Sequence, residues 1–244
     1  MLYAVAVAAL CFVLRLLTWD GAVAAAVVGG LVWEAGRWPW VVPLLLFFIT
    51  SSLLSRAGRA TKREAGLDAA PRRAIQVFAN GGPQTLCAAL FPFHSDNPAL
   101  AAAALAGFAA ANADTWGTEI GSLLGKRFYR IGTLAEATRG ASGAISVAGL
   151  IASFAGAAVV SAAAPLIGRP DLIGLLAVIG FGASLMDSVL GDLVQARYTT
   201  RDGATVEAPT PGSKHIRGIR WMTNDAVNLI AVSCATAAGY LAAA

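Results

Sequence analysis

The chain has 244 residues, 57% of them hydrophobic and 13% charged, with a formal net charge of +4 and a mean hydropathy of +0.66. Soluble domains carry about 25% charged residues, so a soluble enzyme and a soluble nucleic-acid binder are both excluded, and an integral membrane protein is expected. One helical span takes about 20 apolar residues, which gives room for about seven or eight spans. The apolar runs are continuous rather than alternating, which excludes a strand-built barrel.

In chain order the runs predict spans over Leu2–Leu17, Gly21–Trp33, Pro39–Leu54, Ile75–Phe93, Ala99–Leu124, Ser142–Ile167, Leu172–Gln195 and Trp221–Leu241. The apolar start, Met1 to Leu14, reads as a first span rather than a cleaved signal. Thr18-Trp19-Asp20 joins the first two runs as a tight hairpin would. Trp33, Trp38, Trp40 and Trp221 fall at run ends, where aromatic rings suit the membrane interface. Eight spans put every Lys and Arg except Arg37 and Arg169 on one side. The positive-inside rule makes that side cytoplasmic and puts both termini on the other. The expected fold is therefore all-α, a polytopic transmembrane helix bundle of the cytoplasmic (inner) membrane. It forms a single transmembrane domain, 1–244, with cytoplasmic loops at about 55–72, 125–141 and 196–220. Ser55–Pro71 is expected to be a short surface helix or loop. Tyr198–Arg220, with Pro209, Pro211 and Gly212, is the segment suited to a mobile cover. Cys11, Cys87 and Cys234 lie inside apolar runs with no metal-like spacing, and His94 and His215 stand alone in loops.

Polar residues inside the spans cluster at one level. The fourth span opens with Arg73, Gln76 and Asn80, spaced to share a helix face. The fifth ends with Asn112, Asp114, Thr115, Thr118 and Glu119, and the sixth opens with Ser142 and Ser146 after Arg139. The seventh ends with Asp187, Ser188, Gly191, Asp192 and Gln195, and the eighth opens with Asn224, Asp225 and Asn228. All these clusters lie on the basic side. An ionised carboxylate in a span costs at least ~2.5 kcal/mol on insertion scales, so Asp114, Glu119 and Asp187 need a polar partner. The pattern describes a cavity open to the cytoplasm, lined by carboxylates, amides and hydroxyls and rimmed by arginines. Carboxylates with amides suit magnesium shared with substrate phosphates. Arginines and the Gly140–Gly143 turn suit phosphate oxygens, and the apolar bundle suits a lipid tail. Helix-to-helix hydrogen bonding is the plainer explanation for Asn112, Thr118, Ser142 and Ser146 taken singly. Gly121–Arg127 is one residue short of a phosphate loop and lacks its Ser/Thr, so Gly117, Gly121 and Gly125 read as a helix-packing stripe.

The blocks SSLLSRAGRATKREAG, RRAIQVFANGG, NADTWGTEIGS, RGASGAIS, MDSVLGDLVQ and NDAVN, in this order, resemble the DUF92 membrane proteins, a family similar to plant phytyl-phosphate kinase and the animal transmembrane protein 19 group. The likeness runs from about Gly21 to Asn228 and departs at Thr118, where Ser is expected. It implies CTP-dependent phosphorylation of a polyprenyl monophosphate. The matching positions are Lys62, Arg73, Gln76, Asn80, Asp114, Thr115, Glu119, Ser142, Asp187, Gln195, Asn224, Asp225 and Asn228.

The expected activity is that of an isoprenoid-monophosphate kinase taking CTP or another nucleoside triphosphate with one or two Mg2+. Asp114, Glu119 and Asp187, with Asp225, are the expected metal ligands, and Arg73 and Lys62 the expected charge-neutralising groups. Gln76, Asn80, Thr115, Arg139, Ser142, Ser188, Gln195, Asn224 and Asn228 are the expected substrate contacts. The partners are an isoprenoid-phosphate lipid, a nucleotide and the membrane, with no nucleic acid and with room for an oligomer. A transporter or flippase for a phosphorylated lipid or an ion, and a cytidylyltransferase on a lipid, are the alternatives.

Overall fold

Each apolar run becomes a helix. The computed structural model describes residues 2–57, 70–94 and 97–244. Its helices are α1 (Leu2–Val13), α2 (Trp19–Gly36), α3 (Trp38–Ala57), α4 (Ala74–Leu90), α5 (Pro98–Leu124), α6 (Val147–Ser161), α7 (Ile173–Leu193) and α8 (Asn224–Ala243). Among the described residues four stretches, Trp38–Ala57, Val147–Ile167, Pro170–Leu193 and Asn224–Ala243, are long and apolar enough by length and composition to cross a membrane. Helix starts carry hydroxyl or amide caps that satisfy the first free N–H groups. Thr18 accepts from Gly21 N at 3.3 Å, Asn97 from Ala99 N at 3.1 Å, Ser146 from Gly149 N at 3.1 Å and Thr223 from Ala226 N at 3.3 Å.

α5 is the axis of the bundle. It packs against α3, α4, α6, α7 and α8, and every residue from Ala99 to Ala113 is buried. Small side chains make this possible, because neighbouring backbones can approach closely. A Cβ on Gly121 would stand 3.0 Å from Gly149 Cα of α6, and one on Gly180 of α7 would stand 3.0 Å from Ala109. Gly117 and Gly121 are thus the packing stripe their spacing suggests.

The sixth span begins five residues later than expected. Gly140 (φ 76°) and Gly143 (φ 74°) adopt left-handed backbone that interrupts a helix. Ala144–Ile145 instead forms β2, antiparallel to β1 (Tyr129–Arg130). The 196–220 excursion is a second small sheet, β3 (Arg197–Thr199) between β4 (Thr205–Val206) and β5 (Lys214–Arg217). Both sheets sit at the polar end of the bundle.

The α1–α2 turn does more than reverse the chain. Arg72 N donates to Leu16 O at 3.0 Å, and Thr18 N donates back to Arg72 O at 3.1 Å. Asp20 accepts from Ala74 N at 2.9 Å. Gly21 is required here, since a Cβ would meet the Arg72 carbonyl oxygen at 2.2 Å. These bonds set where the chain enters α4.

Candidate functional site

A cavity of about 900 Å³ opens among α1–α8 and the 140–146 turn. Its first zone is an apolar arm between α1, α2 and α3, lined by residues such as Val7, Leu44, Leu45 and Phe48. The arm ends at an aromatic group, Tyr3, Trp33 and Trp38, with ring centroids 5.5 and 5.3 Å apart. At its inner end Arg56 Nη2 donates to Leu14 O at 2.8 Å, tying α3 to the residue that follows α1. The helical rise from Tyr3 to Leu14 is roughly 16 Å, about half of a ≈30 Å hydrocarbon core. The arm thus matches the depth of one leaflet.

Where the arm ends, Arg15, Arg56 and Arg72 line the wall. Arg15 (φ 54°) takes the left-handed position that closes α1, with Arg15 N bonded to Phe12 O and Leu16 N to Cys11 O. A glycine is usual there. The Arg72 guanidinium lies over the Phe47 ring, 5.9 Å from its centroid. Burial pulls its pKa below the ordinary arginine value, and the nearby Glu119 carboxylate acts against that shift.

The third zone is a polar chamber. Asp114, Thr115, Glu119, Asp187, Ser188 and Gln195 line it, as do Gln76, Asn80, Ser142, Asn224 and Asn228. Most of the residues expected from sequence therefore converge. Asp114 and Glu119 turn about 140° apart on a regular helix, yet both border the cavity because it wraps around the end of α5. Glu119 accepts from Ser55 Oγ at 2.7 Å. Asp187 Oδ2 is buried and has no hydrogen-bond partner among the described residues. Asp114 lies within electrostatic reach of Glu119, and Asp187 within reach of Asp114 and Glu207.

Other residues singled out from the sequence stand outside this lining or outside the described residues. Arg73 does not line the cavity: its side chain is 64% exposed and reaches Asp225 at 3.9 Å. Its backbone N–H donates to Gln76 Oε1 at 2.9 Å, so its place is the start of α4. Asp225 faces this arginine and stands outside the lining. Arg139 is exposed, stacked over Phe128 at 5.7 Å and donating to Gly125 O at 3.5 Å. Lys62 lies outside the described residues. Asn112 is packing glue, accepting from Thr50 Oγ1 at 3.0 Å and donating to Gly156 O at 2.8 Å.

Glu207 is the lining carboxylate that sequence reasoning passed over. It reaches the chamber from the excursion, where no helical period marks it. Arg15, Arg56 and Arg72 were legible only as members of the basic side.

Among the described residues no three His, Cys, Asp or Glu side chains form a metal-holding group. A cation here would rest on one or two carboxylates and take further oxygens from amides, water or substrate, which is the habit of magnesium. The partnerless oxygen of Asp187 fits that use.

A family model described as integral membrane protein DUF92 matches residues 2–236. An uncharacterized membrane protein of Synechocystis sp. is 30% identical over 228 residues, covering 88% of this chain and 78% of its own length. Protein PGR of Arabidopsis thaliana is 26% identical over 219 residues, 78% of this chain and 76% of its own. An uncharacterized membrane protein of Methanocaldococcus jannaschii is 30% identical over 186 residues, 75% of this chain and 76% of its own. No solved structure matches.

Proposed function

The chain belongs to the DUF92 family of integral membrane proteins, and from that premise we propose that it phosphorylates an isoprenoid monophosphate at the cytoplasmic face of the cytoplasmic membrane. CTP is the favoured donor. One observation carries the reading: an apolar arm of leaflet depth runs into a polar chamber, with three arginines at the junction. A lipid monophosphate has this division, an apolar tail ending in a charged group.

In this reading the tail lies between α1, α2 and α3, and Arg15, Arg56 and Arg72 hold the lipid phosphate. The acceptor is already an anionic oxygen, so no strong general base is needed. As that oxygen attacks the terminal phosphorus of the nucleotide, the bond to the nucleoside diphosphate breaks. The arginines offset charge on the passing phosphoryl group. Gln76, Asn80, Gln195, Asn224 and Asn228 orient phosphate and nucleotide oxygens. One or two of Asp114, Glu119 and Asp187 would hold magnesium, which when bound lowers the charge of the nucleotide phosphates.

The test is purified protein with phytyl or geranylgeranyl phosphate, magnesium and each nucleoside triphosphate in turn. The lipid diphosphate and CDP are the expected products, lost in Asp187→Ala. Pyrophosphate release in place of CDP would indicate cytidylyl transfer. Absence of any product with every pair would overturn both. A transporter needs a polar path through both leaflets, whereas α5 is buried and apolar from Ala99 to Ala111.

A further inference from the structure

The polar chamber already contains an anion, and it belongs to the chain. Glu207 follows β4 and reaches the 140–146 turn. Its Oε1 accepts from Ser142 N at 3.0 Å and from the Ser142 hydroxyl, and its Oε2 accepts from Gln195 Nε2 at 3.0 Å. Three donors thus converge on one carboxylate inside the cavity.

These donors are held by groups other than Glu207. Arg197 Nη2 donates to Ser142 O at 2.9 Å and Gly191 O at 3.3 Å, tying the turn to α7. Asp192 holds Arg197 at 3.6 Å and Arg130 at 3.5 Å, and accepts from Gly132 N at 3.3 Å. Gly143 lies so close that a Cβ would come 2.6 Å from Asp192 N. Gln195 is 2% exposed.

The arm that brings Glu207 is held far less firmly. β4 is a two-residue edge strand, paired only through Tyr198↔Val206 and Thr199↔Thr205. Residues 201–204 before it and 208–212 after the glutamate are exposed. Few buried contacts and solvent-facing backbone bonds mark the segments that open at least cost.

We propose that Ser142 and Gln195 form a phosphate subsite and that Glu207 is its internal occupant, displaced by a substrate phosphate. Exchange leaves no donor unsatisfied, because phosphate oxygens accept the same N–H and O–H groups. The β4 arm moves outward with the released carboxylate. Glu207 keeps the subsite filled when no phosphate is bound, and its removal raises apparent anion affinity by the inverse of the open fraction. The inference rests on the reading that phosphates bind in this chamber.

The test uses full-length protein in nanodiscs with magnesium and inorganic pyrophosphate, followed by calorimetry and hydrogen exchange. Glu207→Ala is expected to bind pyrophosphate about tenfold or more tightly than wild type. In wild type, saturating pyrophosphate is expected to speed amide exchange over residues 204–208. Equal or weaker binding by Glu207→Ala would overturn the exchange and make Glu207 a fixed part of the site. Unchanged or slower exchange in wild type would overturn it too, and decides the matter if Glu207→Ala does not fold. These shifts without phosphoryl transfer would retain the subsite and remove the kinase reading. Lipid diphosphate formation without them would remove only the displacement.

Discussion

Arg72 and Arg73 are neighbours in the chain and differ in which one meets the cavity. The backbone of Arg72 is paired with Leu16 and Thr18, which turns its side chain inward over Phe47. Arg73 is left at the start of α4 with an exposed, 3.9 Å contact to Asp225. Such exposed pairs contribute about 0–1 kcal/mol. Arg72→Ala is therefore expected to lower kcat/KM for the lipid phosphate by about 10²-fold, and Arg73→Ala by less than about fivefold. Steady-state kinetics on the two variants checks this, and the reverse order would return the role to Arg73. The same neighbourly ambiguity applied to Asp114 and Glu119, which no single helix face unites.

At the scale of elements, hydrophobic runs predict helices well because a backbone in lipid must satisfy its own hydrogen bonds. The runs placed all the helices described, and the errors lie at their ends. Ser142 was expected on the sixth span and belongs to a turn, because two glycines with positive φ and a short strand pairing intervene. The α5–α6 contact depends on glycines whose absent side chains leave room for the partner backbone. In Gly121→Val the new Cβ would stand 3.0 Å from Gly149 Cα and 3.3 Å from Ser146 Oγ. Overpacking of this kind costs about 1–3 kcal/mol. A lowered midpoint of thermal unfolding in detergent is expected, and an unchanged midpoint would show that α6 yields without loss. Moving α6 would also disturb Ser146 and the turn that carries Ser142.

At the scale of the molecule, α1 packs chiefly against α2 and leaves the apolar arm between itself and α3. Leu45 faces this arm, and a bulkier side chain there competes with a lipid tail for space. Each methylene kept out of an apolar site forfeits about 0.8 kcal/mol, so losing two of them weakens binding by roughly tenfold. Leu45→Trp is expected to raise KM for phytyl phosphate by at least about tenfold while leaving isopentenyl phosphate nearly unaffected. Parallel assays on both lipids would show it, and an equal loss on both would place the tail elsewhere.

Membrane residence, helix positions and the level of most site residues could all be read from the chain itself. They follow from composition and local periodicity, and the lipid solvent imposes both on every span separately. Three features depend on folding. That Arg72 rather than Arg73 meets the cavity follows from pairing between Arg72 and a turn some 54 residues earlier. The apolar arm is a space left between α1, α2 and α3, and a gap between helices leaves no periodic mark on any of them. Glu207 reaches Ser142 across 65 residues, a distance that only the folded sheet can close.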